Sequence, residues 1–205
     1  GRDNAARMRC PSKTLVLVGL LCACAPALDW RQVSPGDWQI SASFPCRPSN
    51  AQRDLELGGR SVTMFLHACT AVDMTFALAM ADVGDVRSVA PALNALAEAA
   101  VRNLAARIDA DQPAQIPGMT PHSEARRLQL SGRLPDGMAV VEHVAVFARG
   151  SRVYQLALVG SQPATDAVQT FFAAVSERMS FEPSSIIEAR ASRNSFSTSI
   201  SFVRP

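Results

Sequence analysis

Lysine is almost missing from this 205-residue chain: Lys13 is the only one, and arginine carries every other positive side chain. Genomic base composition accounts for that bias, and no function follows from it. Long apolar runs are missing too. No stretch reaches the roughly 20 apolar residues that a membrane-spanning helix needs, so a retained helical anchor is disfavoured on length. The chain also lacks nucleophile elbows, phosphate-cradling glycine loops, zinc-protease helices and paired metal-ligand spacings. Neither a catalytic residue, a metal ligand nor a cofactor is therefore expected. What is present is the make-up of a globular protein. With 48% hydrophobic and 19% charged residues, and 13 Pro and 11 Gly dispersed, disorder cannot describe most of the chain, and its length suits one domain with appendages.

The N-terminus has the layout of an export signal. Met8 reads as the start, with residues 1–7 upstream of it; Arg9 and Lys13 then precede an apolar run from Leu15 to Leu21 and a set of small residues. Leu21-Cys22-Ala23-Cys24 resembles the lipobox of bacterial lipoproteins. The resemblance implies removal of residues 1–23, a diacylglycerol on the Cys24 thiol, and an acyl group such as palmitate on its amino group. The thiolate is the nucleophile that accepts the lipid, and more than one chain gives stable anchoring where one is marginal. Ala25 after the cysteine implies the outer membrane, with the domain facing the periplasm. The alternative is an ordinary secretory signal cut near Ala25 or Ala27. Removal of Arg2, Arg7, Arg9 and Lys13 against Asp3 alone turns the formal charge of +2 into a neutral or slightly acidic remainder. A nucleic-acid surface is disfavoured on that balance. Of five cysteines, Cys10 and Cys22 leave with the signal and Cys24 takes lipid, so Cys46 and Cys69 remain in an oxidising compartment. A Cys46–Cys69 disulfide is expected; the alternative is two buried thiols.

A tether over residues 24–36 leads into a domain over 37–181. Trp38 to Phe44 alternates apolar and polar residues and predicts a strand with one face buried, stopped by Pro45-Cys46-Arg47-Pro48. Arg53 to Leu57 and Arg60 to Ala71 flank Gly58-Gly59 as a hairpin, predicted to lie beside that first strand. Met74 to Ala81 is another strand, with large residues on one face and small ones on the other, over which something packs closely. Pro91 to Ile108 changes to a helical period, with Leu93, Leu96, Ala97, Ala100, Val101, Leu104 and Ile108 on one stripe. An irregular link, Asp111 to Pro121, follows. Glu124 to Leu134, Met138 to Ala148 and Arg152 to Val159 form a meander through turns at Pro135-Asp136-Gly137 and Arg149-Gly150-Ser151. The middle strand is apolar on both faces and is predicted to be covered on both sides. Pro163 to Met179 is a second helix and Phe181 closes the domain. Residues 182–205 are serine-rich and predict a disordered tail, with a final strand from Phe196 to Val203 as the alternative.

Side chains able to do chemistry are few. His67 and Cys69 share a strand face, but no further ligand is suggested for a metal. His143 follows Glu142 in a strand, so the two point to opposite faces and cannot cooperate directly. His122 falls in the link. Arg126, Arg127, Arg133, Arg149 and Arg152 read as solvated strand edges; the alternative is a basic patch that binds anions.

The order strand, hairpin, strand, long helix, meander, helix resembles the PsbP/Mog1-like fold, including small bacterial envelope lipoproteins. The residues that carry it are Trp38, Ile40, Phe44-Pro45, the hairpin at Gly58-Gly59, the helix Leu93 to Ile108, and Phe171-Phe172, Val175 and Phe181, over about residues 37 to 181. It implies an α+β sandwich, an antiparallel sheet of about six to seven strands with two main helices. It also implies a non-catalytic binding or assembly module with an envelope protein as partner. The second reading is a small-ligand receptor or enzyme whose site is assembled from His67, His143 and nearby arginines.

Overall fold

The computed structural model describes residues 28–177. Cys24, Met179, Phe181 and the serine-rich tail, with its alternative strand, lie outside the described residues. Ten strands are β1 (Arg31–Val33), β2 (Ile40–Phe44), β3 (Ser49–Leu57), β4 (Arg60–Ala71), β5 (Met74–Asp82), β6 (Arg107–Pro113), β7 (Arg126–Arg133), β8 (Ala139–Arg149), β9 (Arg152–Gly160) and β10 (Ser176–Glu177). The helices are α1 (Val89–Asn103) and α2 (Thr165–Ala173). Seven strands form an antiparallel sheet in the order β3-β4-β5-β9-β8-β7-β6, and β1-β2-β10 form a small second sheet. The protein is an α+β sandwich with a separate core on each face of the large sheet.

Residue alternation builds those two cores. In β5, Met74, Phe76, Leu78 and Met80 enter the core shared with α2 and the small sheet, where Phe44, Phe76 and Phe171 meet edge to face. Fully burying each such ring stabilises by roughly 1.5–3 kcal/mol. The small residues Ala77 and Ala81 face the other way, into the core that α1 covers; the helix's buried stripe is itself rich in alanine: Ala92, Leu93, Leu96, Ala97 and Ala100. Close approach is enforced at Gly58, in the hairpin turn at φ +58°, where a Cβ would sit 2.6 Å from the backbone of Pro91 and Ala92. β8 is buried on both faces from Val144 to Ala148, as its two-sided apolar pattern predicts.

Several boundaries differ from the sequence reading, each for a physical reason. The first helix stops at Asn103 rather than Ile108. Ala105 takes a left-handed φ of +44°, its N–H donates to the Arg102 carbonyl, and the Ala106 N–H donates to the Val101 carbonyl. That is a Schellman ending with alanine where glycine is usual, so no glycine announces the stop. The chain then enters β6, which occupies the start of the supposed irregular link. Being an edge strand, β6 carries almost no buried residue and so no alternation to read. The rest of the link is packed: Ala114 and Ile116 are buried, and Thr120 bridges to Ala148.

The first strand spans Ile40–Phe44 and does not lie beside the hairpin; it sits between β1 and β10, while β4 takes β5 as its second neighbour. Gln39, at φ +54°, separates Trp38 from the strand. β3 begins at Ser49, before the expected Arg53, pairing along β4 with little burial of its own. The second helix is confined to Thr165–Ala173 and gives way to β10. Arg31–Val33, within the segment read as tether, pair with β2. Just after them, three successive carbonyls are held by the β8–β9 hairpin. Arg152 donates to Asp37 O (2.6 Å), the Tyr154 hydroxyl to Trp38 O (2.8 Å) and Arg149 to Gln39 O (2.7 Å).

Candidate functional site

Strand register decides which polar groups meet. On the α2 side of the sheet, Gln129 of β7 lies opposite His143 of β8 and opposite Ala110 of β6, while Arg127 lies opposite Gln112 and Ala145. α2 covers the middle of that face and leaves the β6–β8 end open. The result is a cleft of about 590 Å³ whose floor holds Gln112, Arg127, Gln129 and His143 and whose wall is Thr165, Val168 and Gln169 of α2. The guanidinium carbon of Arg127 sits 4.4 Å from the centre of the Phe172 ring, a cation–π contact that fixes the side chain at the cleft.

Burial shapes the electrostatics. Loss of solvent holds the Arg127 guanidinium below its ordinary pKa, and no carboxylate offsets the effect. Burial, and then the Arg127 charge, push His143 down from the ordinary imidazole value, which favours its neutral form at pH 7. Arg126, one residue before Arg127 and so directed to the opposite face, is ion-paired with Asp111. Arg133 donates to Gly137 O, and Arg149 and Arg152 serve the clamp on residues 37–39. The five arginines do not share one surface. Arg127 alone among them lines this cleft.

The other residues singled out by sequence lie elsewhere. Cys46 and Cys69 are joined by a disulfide with their Cα atoms 6.0 Å apart. His67 stands on the same strand face as Cys69; its Nδ1 is buried without a hydrogen-bond partner among the described residues, and burial lowers its pKa. Three inter-strand steps, from β4 through β5 and β9 to β8, separate it from His143. At about 4.8 Å per step the two imidazoles belong to places roughly 14 Å apart, so they form no joint site. His122 accepts from the Glu124 N–H in a turn. Among the described residues no three His, Cys, Asp or Glu side chains gather to hold a metal, and no hydroxyl or thiol hydrogen-bonds to His143. The cleft has the groups to recognise a ligand: one cation, one imidazole and several amides.

Glu142 does lie on the face opposite His143, as the strand alternation predicts, but its burial was not foreseen. It faces the α1 side, 6% exposed, with Leu130 and Val159 across from it on the neighbouring strands. Burial pushes its carboxyl up to about 7. The available signal was a Glu-His pair in the middle of a strand otherwise apolar on both faces, which places each polar side chain against one of the two covering layers.

No family model matches the chain, and no curated protein matches it. A crystal structure of a protein from Bacteroides thetaiotaomicron VPI-5482 is similar at 13% identity and a TM-score of 0.36, over 72% of this chain and 48% of that one. The chain thus spans about half the length of that protein.

Proposed function

We propose that this is a lipid-anchored cell-envelope protein, held by lipid on Cys24 at the periplasmic side of the outer membrane, that binds another protein non-catalytically in the cleft between α2 and the β6–β8 end of the sheet. The observation that carries the reading is the cleft itself: open, about 590 Å³, and lined by side chains that bind rather than react. An open groove floored by amides suits an extended segment of a partner. The lipobox-like Leu21-Cys22-Ala23-Cys24 supports the anchor, and the resemblance to PsbP/Mog1-like proteins supports an assembly role.

Two measurements test it. The N-terminal peptide of the protein recovered from membranes is expected to begin at Cys24 and to carry a diacylglyceryl and an acyl group; a lipid-free N-terminus overturns the anchor. A photo-cross-linking amino acid in place of Gln169, in the cleft, is expected to capture an envelope protein that the same group in place of Glu98, on the outer side of α1, does not. Identical capture at both positions refutes the cleft as the binding surface. A second reading, a receptor for a small ligand, is favoured by Arg127 and His143 lining one cleft. It predicts that a diffusible compound, rather than a protein, protects the cleft from modification.

A further inference from the structure

Arg127 is a cation placed where a cation alone is costly. It is partly buried against Phe172, and among the described residues it makes no ion pair and no hydrogen bond, so its N–H donors have no protein acceptor. Among the described residues no Asp or Glu lines the cleft. The neighbouring Arg126 has Asp111 and Arg152 has Asp82, whereas among the described residues no carboxylate pairs with Arg127. A partly desolvated guanidinium with no counter-charge among the described residues, at the edge of an open cleft, is placed to take an anion from outside. Gln129 and His143 lie on the same floor beside it, and Gln112 lies across from it on β6. Side chains of this kind exchange hydrogen bonds with peptide amides. The planar fork of an arginine matches a carboxylate through two parallel bonds, a fit that lysine cannot reproduce.

We infer that the Arg127 end of the cleft is a recognition site for a carboxylate, carried by an acidic side chain on an extended segment of the partner. This rests on the cleft reading above but is tested apart from it. The full chain, isotopically labelled, is titrated with the blocked peptide Gly-Gly-Glu-Gly-Gly, with its Gln counterpart, and with inorganic phosphate, while the Arg127 Nε–H and His143 ring resonances are followed. The Glu peptide is expected to move both resonances saturably and to bind about tenfold more tightly than the Gln peptide. Its affinity is expected to fall severalfold as salt is raised. Arg127→Gln abolishes the preference, and Arg127→Lys, which keeps the charge but not the fork, loses most of it; melting temperatures close to that of the parent show that both variants fold. Equal binding of the Glu and Gln peptides, tighter binding of phosphate, or a preference that survives in Arg127→Gln overturns the assignment. A partner cross-linked at position 169 equally in the parent and in Arg127→Gln also overturns it while leaving the cleft reading standing. Conversely, a Glu preference with no capture at position 169 keeps the carboxylate site and removes the protein partner.

Discussion

Replacing Glu142 by glutamine is expected to make the protein more stable, by an amount that is nil near pH 4, grows through the acid range and is complete above neutral pH. Glu142 is 6% exposed and set among Val140, Val144, Leu130 and Val159. Among the described residues no ion pair or hydrogen bond reaches it, and desolvation alone lifts it from an ordinary 4.5 to about 7. The folded protein therefore keeps this proton at pH values where the unfolded chain has released it. The contribution to stability is fully present below about pH 4.5, declines as the pH rises, and is lost above about 7. At 1.36 kcal/mol per pH unit the loss is about 3 kcal/mol, and relaxation around the charge lowers it to roughly 2–3. Glutamine has the shape of the protonated acid and does not ionise. At pH 4 the two proteins are expected to melt together; at pH 8 the variant is expected to melt roughly 5–10 °C higher, using about 2–4 °C per kcal/mol for a domain of this size. Scanning calorimetry at the two pH values measures the difference of differences, in which every other titrating group cancels. A gap that is the same at both pH values, or a variant less stable at pH 8, refutes the reasoning and requires a partner for the carboxylate.

Two further predictions concern the frame. Ala105→Gly, at the left-handed end of α1, is expected to stabilise by roughly 0.5–1 kcal/mol, because alanine is strained at φ +44° and glycine is not; an unchanged urea midpoint would count against the Schellman ending. Replacing Cys46 and Cys69 together by alanine opens a loop of 23 residues' separation and is expected to cost about 3 kcal/mol, read as a lower urea midpoint, with no such drop if the bridge constrains nothing.

Legibility followed burial. Strands covered on one face announced themselves through alternation, as in β5, and β8 through its two apolar faces, while Gly58, Gly137 and Gly150 marked turns that take positive φ. Elements whose residues stay solvated were silent. β6 and most of β3 pair along an edge and bury little, so backbone hydrogen bonds rather than hydropathy define them. The end of α1 was hidden because alanine occupies a glycine's conformation. The candidate site was legible only as separate residues: Arg127 and His143 were both noted, but that they share a cleft depends on Gln129 facing His143 and on where α2 stops covering the sheet. Neither is encoded locally. The same register sets His67 apart from His143.

The grip of Arg152, Tyr154 and Arg149 on three adjoining carbonyls has a mechanical meaning. A pull on the N-terminal side of the domain meets the Asp29 N–H bond to the Pro45 carbonyl and the Trp30–Phe76 ring contact, and then β1, which is joined to β2 by only three residue pairs. The grip on residues 37–39 then passes tension into the β8–β9 hairpin, deep in the large sheet. Release of the N-terminal edge alone therefore leaves residues 37–39 fastened to the large sheet, and with them the frame on which the α2 cleft is built.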